Sequence, residues 1–383
     1  MPPLTTPWQG RAATAFSMRT TIKHALAIAL AIQTLGSCLT ALASGLMVTR
    51  YGAQCDGIAD DTEAFQRAID AARAKCQFLP DNSTTGQTYL ELPTGSVCKI
   101  TKTLIFDTAC VGLDGNGATI NARAIHSGSA LLLKRSRPAT PYSGNALPWS
   151  NFNLQGPGLS TASTGMLIES GELQVGPVNI ANFGVGVAFG NYAFLDVITG
   201  SSLWNVGTGL WCPHGLKDAG EQLAFVDSRI FNAKSGVIND GCSLLISNVV
   251  MDGLTKSAIL NLSNDVRLQN VHIEYFSPTS ESILKVSGGC NAYTYIQVFG
   301  GQIQHDNPAE ANVLSLVDNS PDPSCRGGPP HGSGPWVLMR DVFLSGINPK
   351  SGQLVTGSSK HQVKIECATN GAGGGTMCNT SYP

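Results

Sequence analysis

The chain has 383 residues and a formal net charge of −2, and only 13% of its residues are charged. That balance excludes an electrostatic nucleic-acid binder, which needs a basic excess. The 43 glycines argue for many tight turns, and the length suits one large domain or two ordinary ones.

Met18 to His24 form a basic stretch, and Ala25 to Ile32 an apolar one too short to span a bilayer. Ala41-Leu42-Ala43 then offers small residues before a cleavage point. Residues 1–43 therefore read as a signal peptide, with Met18 as an alternative start, and residues 44–383 as the mature domain. Leu35-Gly36-Ser37-Cys38 supplies a competing reading, a lipobox with a lipid anchor on Cys38. The first reading predicts a secreted or periplasmic protein, the second an outer-membrane lipoprotein, and neither includes a membrane span. Of 11 cysteines, Cys38 lies in this segment. The remainder, in an exported chain, predict disulfides, with Cys367–Cys378 as one local bridge. No Cys/His spacing suits zinc, so neither a metal nor a cofactor is expected.

Residues 50–72 form the next element. Tyr51-Gly52-Ala53-Gln54-Cys55-Asp56-Gly57 leads to Asp60-Asp61, and Phe65, Ala68, Ile69 and Ala72 then share one helical face. Asp60 or Asp61 can cap that helix, which accounts for the pair without catalysis. Tyr89-Leu90-Glu91-Leu92-Pro93-Thr94-Gly95, Leu104-Ile105-Phe106 and Val111 to Ile120 continue as short strands with a Gly115-Asn116-Gly117 step. Over residues 50–122 these motifs resemble the pectate-lyase-like superfamily, in its rhamnogalacturonase-, epimerase- and tailspike-like branch. The resemblance implies an all-β fold, a single-stranded right-handed parallel β-helix (a solenoid) with an N-terminal capping helix. It also implies a polysaccharide as partner, and a monomer or homotrimer as the assembly.

Downstream, short apolar strands each end in a polar residue: Asn182, Asn205, Asn232, Asp252, Glu274, Gln304 and Ser345. The steps between them run from 20 to 41 residues, one solenoid turn with insertions. An apolar residue recurs six before this position (Val226, Ile246, Leu268) and a small or amide residue four before it (Ser228, Asn248, Asn270). Coils stack about 4.8 Å apart, so equivalent side chains form columns. The three asparagines read as a structural amide ladder.

Asp252 and Glu274 depart from that ladder. Two carboxyls on successive coils are the minimal apparatus for glycoside hydrolysis: one protonates the leaving group, and the other activates water or attacks carbon. His272, two residues from Glu274 on the same strand face, is the third catalytic candidate. Tyr275, Gln302, Gln304 and Arg267 are the candidate substrate-binding residues. Trp204 and Trp211 read as core or stacking residues, and Asp227 with Arg229 as an exposed ion pair. Polygalacturonase-type hydrolases of this fold carry Asn-Thr-Asp, Asp-Asp, Gly-His-Gly and Arg-Ile-Lys steps, and these do not occur here in order. The expectation is an exported polysaccharide-active enzyme, glycosidase or lyase, binding glycan along the solenoid. The alternatives are a polymer epimerase or a non-catalytic glycan-binding or envelope-associated β-helix.

Overall fold

The computed structural model describes residues 45–80, 83–136, 147–274, 281–287, 294–304, 315–319, 336–345, 347, 354–357, 363–366, 369–370 and 380–381. The chain divides at Ser44, and all described residues lie in the unit from Gly45 to Pro383. The expected signal peptide, the Cys38 anchor and the Cys367–Cys378 bridge lie outside the described residues.

Short strands wind into a parallel solenoid, as the sequence predicts. Each full coil carries three facets. Val197–Thr199, Leu223–Val226 and Leu244–Ser247 belong to facet 1, and Ser202–Trp204, Arg229–Phe231 and Val250–Asp252 to facet 2. Facet 3 is a ten-stranded sheet running from Leu104–Asp107 to Val355–Thr356. These strands pair in parallel and in register, and on facet 3 the register shifts once, where Asp240 pairs with Ser263.

The coil is set by packing inside and by corners outside. On facet 2 the middle residue of each three-residue strand points inward. Ile180, Leu203, Ile230, Met251, Ile273 and Ile303 are register partners and at most 1% exposed. Each buried aliphatic side chain contributes roughly 1.5–3 kcal/mol. Asn182, Asn205 and Asn232 turn the corner from facet 2 to facet 3 with φ of 63°, 51° and 49°. Asparagine tolerates this left-handed conformation, and its amide can bond the neighbouring coil. The Asn205 amide donates to Asn182 Oδ1 (2.5 Å), and the Asn182 amide to Gln155 Oε1 (3.0 Å), so the expected ladder is present at Asn182 and Asn205 and reaches back to Gln155.

The cap is helix α1, Thr62–Lys75. Phe65, Ala68, Ile69 and Ala72 are at most 1% exposed, which is the face the periodicity predicts. Asp60 Oδ1 accepts the Thr62 N–H (3.1 Å) at the helix start, while Asp61 accepts N–H groups of Gln54 (2.7 Å) and Cys55 (3.1 Å). Both acids are occupied in anchoring the cap. The Asp61 carboxylate also lies near the Cys55 and Cys98 sulfurs, but these are joined to each other and the group offers no metal site. The Gly115 step marks a close approach, because a Cβ there would fall 2.3 Å from the Phe152 Cβ.

Among the described residues, three disulfides, Cys55–Cys98, Cys76–Cys110 and Cys212–Cys242, staple the cap and two successive coils. Closing loops of 43, 34 and 30 residues contributes roughly 3–4 kcal/mol each in the loop-entropy view.

The sequence alignment of the coils needs one correction. Asp252 pairs with Phe231, not Asn232, so the residue equivalent to Asn232 is Gly253. Gly253 takes φ 67°, and a Cβ there would lie 2.5 Å from Asn232 Oδ1. The same slip corrects Val226 to Phe225 in the inner column, since Phe225 pairs with Ile246. It also corrects Ser228 to Asp227 at the first corner. Asp227, Asn248 and Asn270 all have φ between 50° and 53° there. The Asn248 amide donates to Asp227 Oδ1 (3.0 Å), so Asp227 belongs to a second ladder and does not pair with Arg229.

Candidate functional site

The outer face of facet 2 carries two side chains per coil, on either side of the inward residue. One column runs Gln155, Ala181, Trp204, Phe231, Asp252, Glu274. The other runs Asn153, Asn179, Ser202, Arg229, Val250, His272, Gln302. A groove of about 500 Å³ lies over the earlier coils, lined by Asn153, Gln155, Asn179, Ser202, Trp204, Arg229, Phe231 and Asp252.

Asp252 and Glu274 are direct register partners on adjacent coils, so their backbones stand about 4.8 Å apart. Partial burial pushes the Asp252 carboxyl above the ordinary aspartate range, and the Glu274 charge adds to the shift. The Gly253 N–H and His272 act in the opposite direction without cancelling it. One member of the pair is thus held toward its protonated form.

His272 lies between Glu274 and Gln302. Its Nε2 contacts Glu274 Oε2, and its Nδ1 contacts the Gln302 amide nitrogen. This places three of the sequence candidates, His272, Glu274 and Gln302, in one contact chain with Asp252 alongside. Gln304 follows in the Glu274 column and pairs with Ser345.

Arg267 stands elsewhere. It precedes the Asn270 corner and therefore belongs to facet 1. There it contacts Asp265 Oδ2 (3.1 Å) and donates to the Tyr295 hydroxyl (3.4 Å). Tyr275 lies outside the described residues.

Two groove residues, Trp204 and Arg229, were not singled out from sequence as binding groups. Trp204 is 53% exposed and flanks the groove. Arg229 donates from Nε to Ser202 Oγ (3.3 Å), and its guanidinium lies over the Phe231 ring at 5.4 Å. Neither residue makes an ion pair among the described residues. The signal was present in the sequence. Aligning Asp252 with Phe231 and Trp204 puts the aromatics and acids in one outward column.

No family model matches the chain, and no curated protein matches it. Solved structures do match in fold. The bacteriophage CBA120 tailspike protein 4 enzymatically active domain gives a TM-score of 0.60 at 16% identity, over 87% of this chain and 45% of that one. The Geobacillus virus E2 ORF18 protein gives 0.55 at 12% identity, over 90% and 64%. The tailspike of E. coli bacteriophage HK620, with one aspartate and one glutamate replaced by alanine and in complex with a pentasaccharide, gives 0.54 at 11% identity, over 85% and 62%. This chain spans less than two thirds of each. It shares their fold, the right-handed parallel β-helix.

Proposed function

We propose that this protein is an exported polysaccharide-active enzyme that holds a glycan along the outer face of facet 2 and cleaves it at the Asp252–Glu274 pair. The observation that carries the reading is the direct register of two carboxyls beside a groove with an exposed tryptophan. Sugar rings repeat at roughly the coil spacing, and their apolar faces stack on aromatic side chains while amides satisfy their hydroxyls. The fold of a tailspike solved with a pentasaccharide, and of a tailspike domain described as enzymatically active, supports a glycan as ligand.

The proposed chemistry is hydrolysis by two carboxyls. Asp252, with its raised proton affinity, donates to the glycosidic oxygen. Glu274, oriented by His272, activates water or attacks the anomeric carbon. Gln302, whose amide nitrogen contacts the His272 ring, acts as a positioning residue. Lyase chemistry would instead need a base that takes the proton next to a uronate, and an unsaturated product end distinguishes it.

The experiment is product analysis after incubation with uronic-acid and neutral polysaccharides, with ultraviolet absorbance followed for unsaturated ends. Shortening by wild type and not by Glu274→Gln, without absorbance, supports hydrolysis. Shortening with absorbance replaces it with a lyase, and binding without shortening leaves a glycan-binding solenoid.

A further inference from the structure

A second continuous outer feature lies on facet 3. Ile105, Leu132, Leu167, Ala188, Trp211, Ile238 and Leu260 are register partners on seven successive coils. The flanking residues of each strand, such as Leu131 and Leu133 or Leu210 and Cys212, are buried inside. The column therefore points outward. Ile105 is 40% and Trp211 39% exposed, Leu132, Leu167, Ile238 and Leu260 are half-buried, and the small Ala188 in the middle is 2% exposed. Seven coils make an apolar stripe about 30 Å long. Monomeric proteins seldom leave a stripe of that length to water.

We propose that this stripe is a homodimer interface, in which two copies pack facet 3 to facet 3 about a twofold axis parallel to the strands. Such an axis reverses coil order and preserves strand direction. The axis then passes over the buried Ala188 at the centre. Leu167 meets Trp211, Leu132 meets Ile238, and Ile105 meets Leu260. Large residues lie symmetrically about a small one, which is what a self-complementary interface requires.

Charge selects the same partner. Lys134 follows Leu132 by two residues, and Asp240 follows Ile238 by two, so both project from the forward edge of the stripe. The proposed axis brings Lys134 of each copy opposite Asp240 of the other. Lys134 is exposed and makes no ion pair among the described residues, while Asp240 contacts only His214 (3.4 Å) among ionic partners there. Strands of four to eight residues give a contact of about 500 Å² on each copy. That total lies at the low end for specific complexes, so the dimer is reversible and micromolar. The glycan face on facet 2 stays outside the contact.

Sedimentation velocity of the purified protein from about 1 to about 100 μM tests this. Wild type is expected to pass from monomer to dimer across that range. Trp211→Glu and Leu167→Lys are expected to remain monomeric with wild-type circular dichroism, since both side chains point outward. Lys134→Asp is expected to weaken the dimer about tenfold, and Lys134→Asp combined with Asp240→Lys to restore it. A wild type that stays monomeric, a trimer, or a dimer untouched by Trp211→Glu and Leu167→Lys overturns the proposal. Failure of the charge exchange to restore binding overturns the antiparallel arrangement.

Discussion

Facets 2 and 3 are built alike inside and differ outside. Both fill the interior with register-matched aliphatic columns: Leu203, Ile230 and Met251 in one, Leu210, Val237 and Ile259 in the other. Outside, facet 2 carries Trp204, Arg229, Asp252, His272 and Glu274, whereas facet 3 carries the stripe from Ile105 to Leu260. The interior is constrained by close packing and reports the fold. The outer positions are free of that constraint, so their chemistry separates the two surfaces.

The sharpest way to break the comparison is to neutralise the acids. Glu274→Gln and Asp252→Asn should each lower the cleavage rate by about 10²–10⁴-fold with little change in thermal midpoint. Loss of folding instead would make the acids structural, like the ladder beside them. Truncation of the shared interior comes next. Ile230→Ala should cost about 2–5 kcal/mol in denaturant unfolding, because Ile230 is fully buried in the facet 2 column. A much smaller cost would contradict the close-packed interior.

Trp204 and Trp211, the exposed tryptophans among the described residues, sharpen the contrast. Trp204→Ala should weaken oligosaccharide binding about tenfold by calorimetry, and Trp211→Ala should leave it unchanged. Equal effects would remove the functional distinction between the facets.

The smallest effect concerns Asp196, a fully buried acid on facet 1. Its Oδ1 accepts the Leu173 N–H (2.9 Å), and its Oδ2 meets no hydrogen-bond partner among the described residues. Burial pushes its pKa well above the usual carboxylate range. The folded state therefore binds this proton more tightly than the unfolded one. The stability it contributes is complete below the ordinary aspartate pKa and falls as pH rises through the raised value. Asp196→Asn should flatten that decline in thermal midpoint, and an unchanged slope would assign it to other groups.

Much of this architecture is legible in the residues. The α1 face, the asparagine ladder and the coil repeat follow from periodicity and from the few residues that tolerate a left-handed corner. The slip at Asp252 arose because Gly253 fills a corner that asparagine fills in the three preceding coils. Glycine satisfies the same backbone and leaves no amide to align. Arg267 is a candidate from sequence as a cation near the acids, and in the structure it shares the strand Asp265–Glu274 with Glu274. The bend at Asn270 that separates its two halves is a matter of one φ angle. The sequence already aligns Trp204 with Phe231 and Arg229 with Ser202; what it does not show is how exposed that outer column is, so neither residue stood out as a binding group.

The most direct test is a crystal structure of Glu274→Gln soaked with an oligosaccharide taken from a polymer that the wild type shortens. The account predicts sugar rings along facet 2, one stacked on Trp204, with a glycosidic oxygen within hydrogen-bonding reach of the Asp252 carboxyl. Sugar bound instead on facet 1 beside Arg267 and Tyr295, or on facet 3, would contradict it.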